Sequence, residues 1–475
     1  MQLHLTLRHH LTAALLAGLG LRLFFIWRFP FVAGDTKFYE ELARNLLDHG
    51  VYGLFIHGNL IATDMRMPGY PAFLAAIYAL LGRTRPAVMI VQALLDLVTC
   101  VLTAVVAARL VSERWRASVA AAALWLAALC PFTTNYAAVP LTEVLATFLT
   151  ALAVVVFLGA DQCVASVEQD PIRAVKTWFG GGFLVGLGTL VRPETPLLLA
   201  AIGLVLCVRW YRPADWARLA LIILWMTVGL VLALVPWAAR NAHTLGRVQF
   251  LAPRYTETFG DFVPQGFYAW TKTWQVRFRH AYQVAWKVGK EPIRMEVFPA
   301  SAFDSPSERA RVAALLDSYN QNHRMTPMLD HQFASLARER AARHPLRTHM
   351  WIPLQRAATM WFTPRIELLP YSGQLWPPAK KWHDNHADFL VTAGFGLLNF
   401  VFVGLALVGA WRCRTHPALA WLATFILLRT AVLTQLQTVE PRYVLECFPA
   451  VLSLGAVALI YCAGALIRHA TPSHR

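Results

Sequence analysis

The stretch HLTAALLAGLGLRLFFIW, residues 10–27, decides the fold class. It carries one charged side chain, Arg22, in a run long enough to cross a bilayer core. No small-residue cleavage site follows it and further apolar runs do, so it reads as an uncleaved first helix. Working outward, apolar runs recur at 11–28, 87–111, 117–136, 139–160, 178–193, 195–209, 216–236, 388–411, 417–436 and 444–467. Each reads as a span, ten in all, and the chain reads as an all-α polytopic membrane protein. PGYPAFLAAIYALLG (68–82) is apolar but short and opens on two prolines. It reads as a juxtamembrane helix, at the interface or docked on the bundle.

Composition agrees. The 475-residue chain is 57% hydrophobic and 15% charged, with mean hydropathy +0.46, where a soluble domain carries about 25% charge. Lys and Arg outnumber Asp and Glu by 43 to 27. In a soluble protein that excess would point to nucleic acid. In a membrane protein it belongs to loop orientation and anionic lipid, so membrane lipids are expected partners and nucleic acid is not. The seven cysteines contain no CxxC pair. Cys100, Cys130, Cys207, Cys447 and Cys462 lie in or beside apolar runs, as small membrane-helix residues do.

Alternate loops fix the direction. With the N-terminus inside, the cytoplasmic segments are RHH, RLVSERWR, the 161–177 loop with Arg173 and Lys176, RWYRPADWAR, WRCRTH and the tail RHATPSHR, all of them basic. Short basic loops stay on the cytoplasmic side. Both termini are therefore expected in the cytoplasm, of a bacterial inner membrane. The opposite, periplasmic or extracellular face receives the 29–86 loop, turns near 137 and 194, a long 237–387 loop and TVEPRY near 440. Three regions follow: 1–236, a bundle with the first outer loop; 237–387, an extracytoplasmic helical cap; and 388–475, the last spans. Within the cap, SPSERARVAALLDSYNQ and MLDHQFASLARERAARHPLRTHMWIPL have helical periodicity. Asp330 is read as the N-cap of the second, with Pro345 ending its first part.

Polar residues beside the spans gather on that outer face. Asp35, Tyr39 and Glu40 follow the first span, and FVAGDTKFYEEL (31–42) holds the first acidic residue of the chain. Asp64 and Arg66 precede PGYP, Glu143 opens the fourth span, Arg192 and Glu194 close the fifth, Arg240 and Asn241 close the seventh, and Glu440, Arg442 and Tyr443 precede the last. Arginine matches phosphate through its planar donor fork, and a carboxylate suits proton abstraction from a hydroxyl or amine. An anionic, lipid-embedded substrate fits the set. Each residue also has a plain alternative: an interfacial Arg or Glu anchors a helix end or meets a headgroup, and Glu440 and Arg442 can simply pair. Deeper in the spans, Arg22 and Asp96 are expected to form an interhelical ion pair, while Arg429 is either a phosphate ligand or a packing contact. His57, His331, His344 and His383 lack metal-ligand spacing and read as solvated.

The segments GDTKFYEELARNLLDHGVYG, RMPGYPAFLAAIYALLG, VPLTEVLATFLTALAV, GFLVGLGTLVRPETPLLL, VPWAARNAHTLGRVQFL and EPRYVLECFPAVLSLGA, in that order, resemble the GT-C superfamily of membrane glycosyltransferases. The likeness is to the branch with protein O-mannosyltransferases and lipid A aminoarabinose transferases. The resemblance implies a GT-C-like bundle, a polyprenyl-phosphate-linked sugar donor and a lipid, glycan or protein acceptor. It implies Asp35 as catalytic base, although many relatives carry two adjacent acidic residues where this chain has Asp35–Thr36. Tyr39, Arg66, Tyr70, Glu143, Arg192, Arg240, Glu440 and Arg442 are the substrate-binding candidates. No metal ligand and no cofactor is assigned, and a divalent metal is left open. The expected chemistry is inverting transfer. Two other readings fit the composition: a transporter or flippase for a lipid-linked substrate, against which the chain shows no matched halves, and an O-antigen-ligase-like enzyme working through loop histidines.

Overall fold

A computed structural model describes residues 2–163, 171–253 and 262–470. The expected 161–177 loop, the long loop and the C-terminal tail therefore fall partly outside the described residues. Among the described residues, six helices are long and apolar enough to cross a membrane: Arg8–Arg28, Arg85–Arg109, Glu143–Ala160, Pro213–Leu245, His386–Arg412 and Pro441–Gly464. The pair Glu113–Ala128 and Pro131–Ala138, bent by 47°, makes a seventh if it is counted as one broken span and not as a re-entrant loop. The chain is an integral membrane protein, and its described residues are mostly helical.

The count falls short of ten because several apolar runs make less helix than their length suggested. Pro131 breaks the run 117–136. Pro193 and Pro196 confine the run 195–209 to the 13-residue helix Leu197–Arg209, about 20 Å long at the usual rise and short of the roughly 30 Å core. The run 417–436 yields the 17-residue helix Pro417–Leu433. The run 178–193 falls mostly in a helix that starts earlier, Pro171–Thr189.

The chain divides into two compact units. The first comprises Met1–Pro253, Pro364–Leu428 and Leu445–Arg475. Its helices approach closely through glycine. A Cβ at Gly182 would stand 2.1 Å from the Met226 carbonyl oxygen, and one at Gly229 would stand 2.3 Å from that of Phe179, so Pro171–Thr189 and Trp216–Leu245 pack backbone to backbone as small residues allow in membranes. Arg22 and Asp96 form the expected buried pair at 2.6 Å. The Arg22 guanidinium also donates to the Gly18 and Ala128 carbonyls, leaving a well-satisfied interhelical tie.

After the first helix the chain turns into Gly34–His49, closed by Gly50 at φ 66°. Next comes a feature absent from the all-α expectation, a small antiparallel hairpin, Gly53–Ile56 with Asn59–Ala62. His57 and Gly58 turn it, both at positive φ, as a two-residue hairpin turn requires. The helix Gly69–Leu81 docks on the bundle, burying Tyr70, Leu74, Ile77 and Tyr78. Gly69 bonds its N–H to the Leu190 carbonyl at 2.7 Å, a contact too close for any Cβ.

The second unit is Arg254–Thr363 with Arg429–Val444. Aromatic rings fill its core: Phe267, Trp270, Trp274, Phe298 and Phe333. The expected helices are present as Pro306–Asn320, capped by Ser305, and Pro327–Arg343, which stops before Pro345. The cap of the latter is Thr326, not Asp330. Asp330 lies one turn inside, and its carboxylate accepts the Gly266 and Phe267 amides opening the helix Gln265–Lys272. An acidic residue in a helix's first turn is easily read as its cap, but another helix start takes both oxygens here.

Candidate active site

Within the first unit the segment Val139–Glu143 is held from three directions. Thr36, fully buried, donates its hydroxyl to the Pro140 carbonyl. Gln92 donates to the Val139 carbonyl at 2.8 Å and accepts the Tyr70 hydroxyl at 2.7 Å. Arg192 reaches the Thr142 hydroxyl and the Glu143 carboxylate. Two polar clusters thus share one support.

The first is Asp35 with Arg66. Asp35 lies in the first turn of Gly34–His49, where the helix dipole favours a carboxylate. Its Oδ1 is 3.3 Å from Arg66 Nη2, and both side chains remain about 30% exposed. The Arg66 guanidinium also stands 5.8 Å from the Phe38 ring centre, which limits its swing. A carboxylate and a guanidinium that are supported yet open to a ligand suit proton removal beside an anion.

The second cluster is buried. Arg192 meets Glu143 at 2.9 Å, Glu446 at 3.5 Å and Glu194 at 4.0 Å, and Thr150 donates to Glu446 at 3.0 Å. Three carboxylates surround one guanidinium. Among the described residues no group of three or more His, Cys, Asp or Glu is arranged to hold a metal ion, and the cation among these carboxylates is Arg192 itself.

The other predicted site residues make different contacts. Tyr39 packs edge-on against Tyr70 at 5.1 Å, and Tyr70 is 1% exposed in a core cluster. Arg240 directs its fork into the hairpin, donating to the Tyr52 carbonyl at 2.6 Å and the Thr63 carbonyl at 2.8 Å, with its charge over the Trp237 and Tyr52 rings. In the second unit Glu440 and Arg442 pair at 2.5 Å, the Tyr443 hydroxyl donates to Glu440 and Arg429 donates to the Tyr443 carbonyl. His57, His331, His344 and His383 are exposed.

No protein-family model matches the sequence, and a search of curated proteins finds no match. Solved structures do match. Against the oligosaccharyltransferase AglB of Archaeoglobus fulgidus in complex with an inhibitory peptide and a dolichol-phosphate, the TM-score is 0.52 at 13% identity, over 99% of this chain and 52% of that one. The same enzyme in complex with Zn and sulfate gives 0.51 at 14%, over 96% and 49%. The chain has the GT-C fold. ArnT from Cupriavidus metallidurans bound to undecaprenyl phosphate also aligns, over 95% of this chain and 77% of that one, at 17% identity and a TM-score of 0.38. The chain spans about half the length of the oligosaccharyltransferases it matches.

On this GT-C bundle the residue that sequence reasoning passed over is Glu446. It stands six residues after Glu440 in EPRYVLECFPA, a lone carboxylate inside an apolar run. That cost of burying charge was the available signal. Gln92, buried in the second predicted span, offered the same kind of clue.

Proposed function

We propose that this protein transfers a sugar from a polyprenyl-phosphate donor to an acceptor hydroxyl or amine at the extracytoplasmic membrane face, with inversion, and that Asp35 is the general base. The single observation carrying the reading is the Asp35–Arg66 pair, a helix-N-terminal carboxylate 3.3 Å from a guanidinium that keeps part of its surface open. In this reading Asp35 takes the acceptor's proton as its oxygen or nitrogen attacks the anomeric carbon. The bond from that carbon to the phosphate oxygen breaks, and the lipid phosphate departs with the bonding electrons. Arg66 steadies the charge that develops there. One base is enough, and no sugar–enzyme bond forms, unlike the close carboxylate pair of a retaining glycosidase. A structure of the same fold that holds a dolichol-phosphate supports the donor class.

The buried Arg192 cluster is assigned the role of holding Val139–Glu143, and through it the start of the Asp35 helix. Glu440 and Arg442 are kept as substrate-binding candidates on the second unit.

The test uses purified protein in proteoliposomes with a radiolabelled polyprenyl-phosphate sugar. Label moving to an acceptor supports transfer, whereas label crossing the bilayer unchanged would mark a transporter. Asp35→Asn should lower transfer about 100-fold or more, the usual share of general-base catalysis. Near wild-type transfer by that variant, at equal protein level, would remove Asp35 from the role. Loss of transfer on replacing His331, His344 or His383, with activity surviving loss of Asp35, would favour a ligase.

A further inference from the structure

Gln92 lies in the apolar helix Arg85–Arg109 and is fully buried. An apolar side chain would need no partner there, whereas a buried amide does. Its partners fix the way it faces. Three carbonyls stand around Nε2, that of Val139 at 2.8 Å and those of Tyr136 and Ala137 at 3.4 Å. A carbonyl only accepts, so the atom they surround is the amide nitrogen. Oε1 therefore faces the Tyr70 hydroxyl, which donates to it at 2.7 Å. One side chain thus joins the irregular backbone at Val139 to the helix Gly69–Leu81.

Both ends of that link lead to the Asp35–Arg66 pair, and all the residues involved belong to the first unit. On one side, the Pro140 carbonyl follows that of Val139 and accepts the hydroxyl of the buried Thr36 at 3.1 Å. Thr36 is the neighbour of Asp35 at the start of Gly34–His49. On the other side, Tyr70 is the second residue of its helix and lies four positions after Arg66. The Tyr39–Tyr70 ring contact also joins the two helices. Ring contacts tolerate sliding, however, and hydrogen bonds are directional. The pair itself stands at 3.3 Å, longer than the roughly 2.7–2.9 Å of a relaxed charge-assisted bond. Its spacing is therefore set by the mounting of the two side chains and not by their attraction alone.

We infer that Gln92 is a positioning residue for sugar transfer: through Thr36 on one side and Tyr70 on the other, it holds Asp35 and Arg66 at their working distance. This rests on the transferase reading and adds to it a residue inside the bundle that acts on the base and on the guanidinium together. The plain alternative is that Gln92 only satisfies the carbonyls of a broken stretch of backbone. Its loss would then lower stability and leave the turnover of each folded molecule unchanged, so the deciding readout is kinetic.

The experiment measures kcat and the donor KM of the full-length protein in proteoliposomes with radiolabelled polyprenyl-phosphate sugar, each variant normalised to folded protein. Thr36→Val keeps the shape and loses the hydroxyl, so kcat should fall with little change in donor KM. Thr36→Ser should restore kcat. Tyr70→Phe frees the Arg66 side and should raise the donor KM. Gln92→Leu should do both, with kcat down about 100-fold, the scale of a displacement of about 1 Å at a reacting centre. If Gln92→Leu does not fold, the Thr36→Val/Tyr70→Phe double variant, which cuts the link at both ends, takes its place. Wild-type kcat and KM in the folded variant, or equal loss in Thr36→Val and Thr36→Ser, would overturn the proposal. Asp35→Asn is measured alongside. If it is inactive while the Gln92 variant is normal, this inference alone fails; if it transfers normally, the assignment of the base fails and takes this inference with it.

Discussion

Arg66 and Arg192 both sit beside carboxylates, and substitution should separate them. Arg66 is partly exposed and its ion pair with Asp35 is long, 3.3 Å, so Arg66→Ala should cost less than about 1 kcal/mol of stability while raising the KM for the lipid donor. Arg192 is buried among Glu143, Glu194 and Glu446. Removing it strands negative charge, and Arg192→Ala should cost about 3–5 kcal/mol, visible as a large fall in apparent unfolding temperature in detergent. A stable Arg192→Ala protein would show that the cluster is not a structural tie. At this scale the sequence singled out Asp35, Arg66, Glu143 and Arg192 as polar residues beside apolar runs, but did not give their pairings. Arg240 illustrates why. An arginine at a helix end looks the same in sequence whether its fork meets a phosphate or a backbone carbonyl, and the carbonyls it meets belong to Tyr52 and Thr63, far away in the chain. The Arg22–Asp96 tie was legible because a bilayer interior leaves buried charges few alternatives.

Among the elements, the glycine-lined helix pair invites a controlled comparison. Gly180 and Gly182 lie in the same helix. A Cβ at Gly180 meets nothing within 4 Å, whereas one at Gly182 meets the Met226 carbonyl at 2.1 Å. Gly180→Ala should be close to neutral, and Gly182→Ala should cost about 1–3 kcal/mol as an overpacking substitution. Unfolding temperatures of the two variants check this, and equal values would contradict the close packing. The long uninterrupted apolar runs were read as helices without difficulty. The shorter ones were not, because hydropathy counts residues and not where proline stops a helix. The helix Leu197–Arg209 begins immediately after Pro196, and a run that looked like a span is little more than half of one. The hairpin at 53–62 escaped notice for a related reason: its strands are four residues each, too short for alternation to stand out from the surrounding apolar sequence.

On the scale of the molecule, the second unit should respond to acid. His280 is 6% exposed in that unit, and burial, reinforced by Arg279 and Arg277, lowers it from 6.5 to about 4. The unfolded chain takes up this proton near pH 6.5, while the folded chain refuses it until about pH 4. The unfolded state therefore binds more protons across that window, and stability falls as pH drops through it. Unfolding temperatures at pH 7 and pH 4.5 should diverge less in His280→Leu than in the parent protein, and an unchanged divergence would exclude His280 as the source. The division into units was only partly legible, since the long loop was seen but the contribution of 429–444 was not. That segment lies more than sixty positions beyond the rest of the unit in sequence, and no local pattern announces so distant a return. One practical result concerns fragments. Arg356 finds three of its four acceptors on Thr434, Leu436 and Gln437, and Met360 packs with Leu433, Val439 and Val444. A piece cut at 262 and 363 would keep the guanidinium and lose three of the carbonyls that accept its hydrogen bonds. Only a spliced polypeptide that grafts 429–444 back through an artificial linker would be expected to express as a folded body.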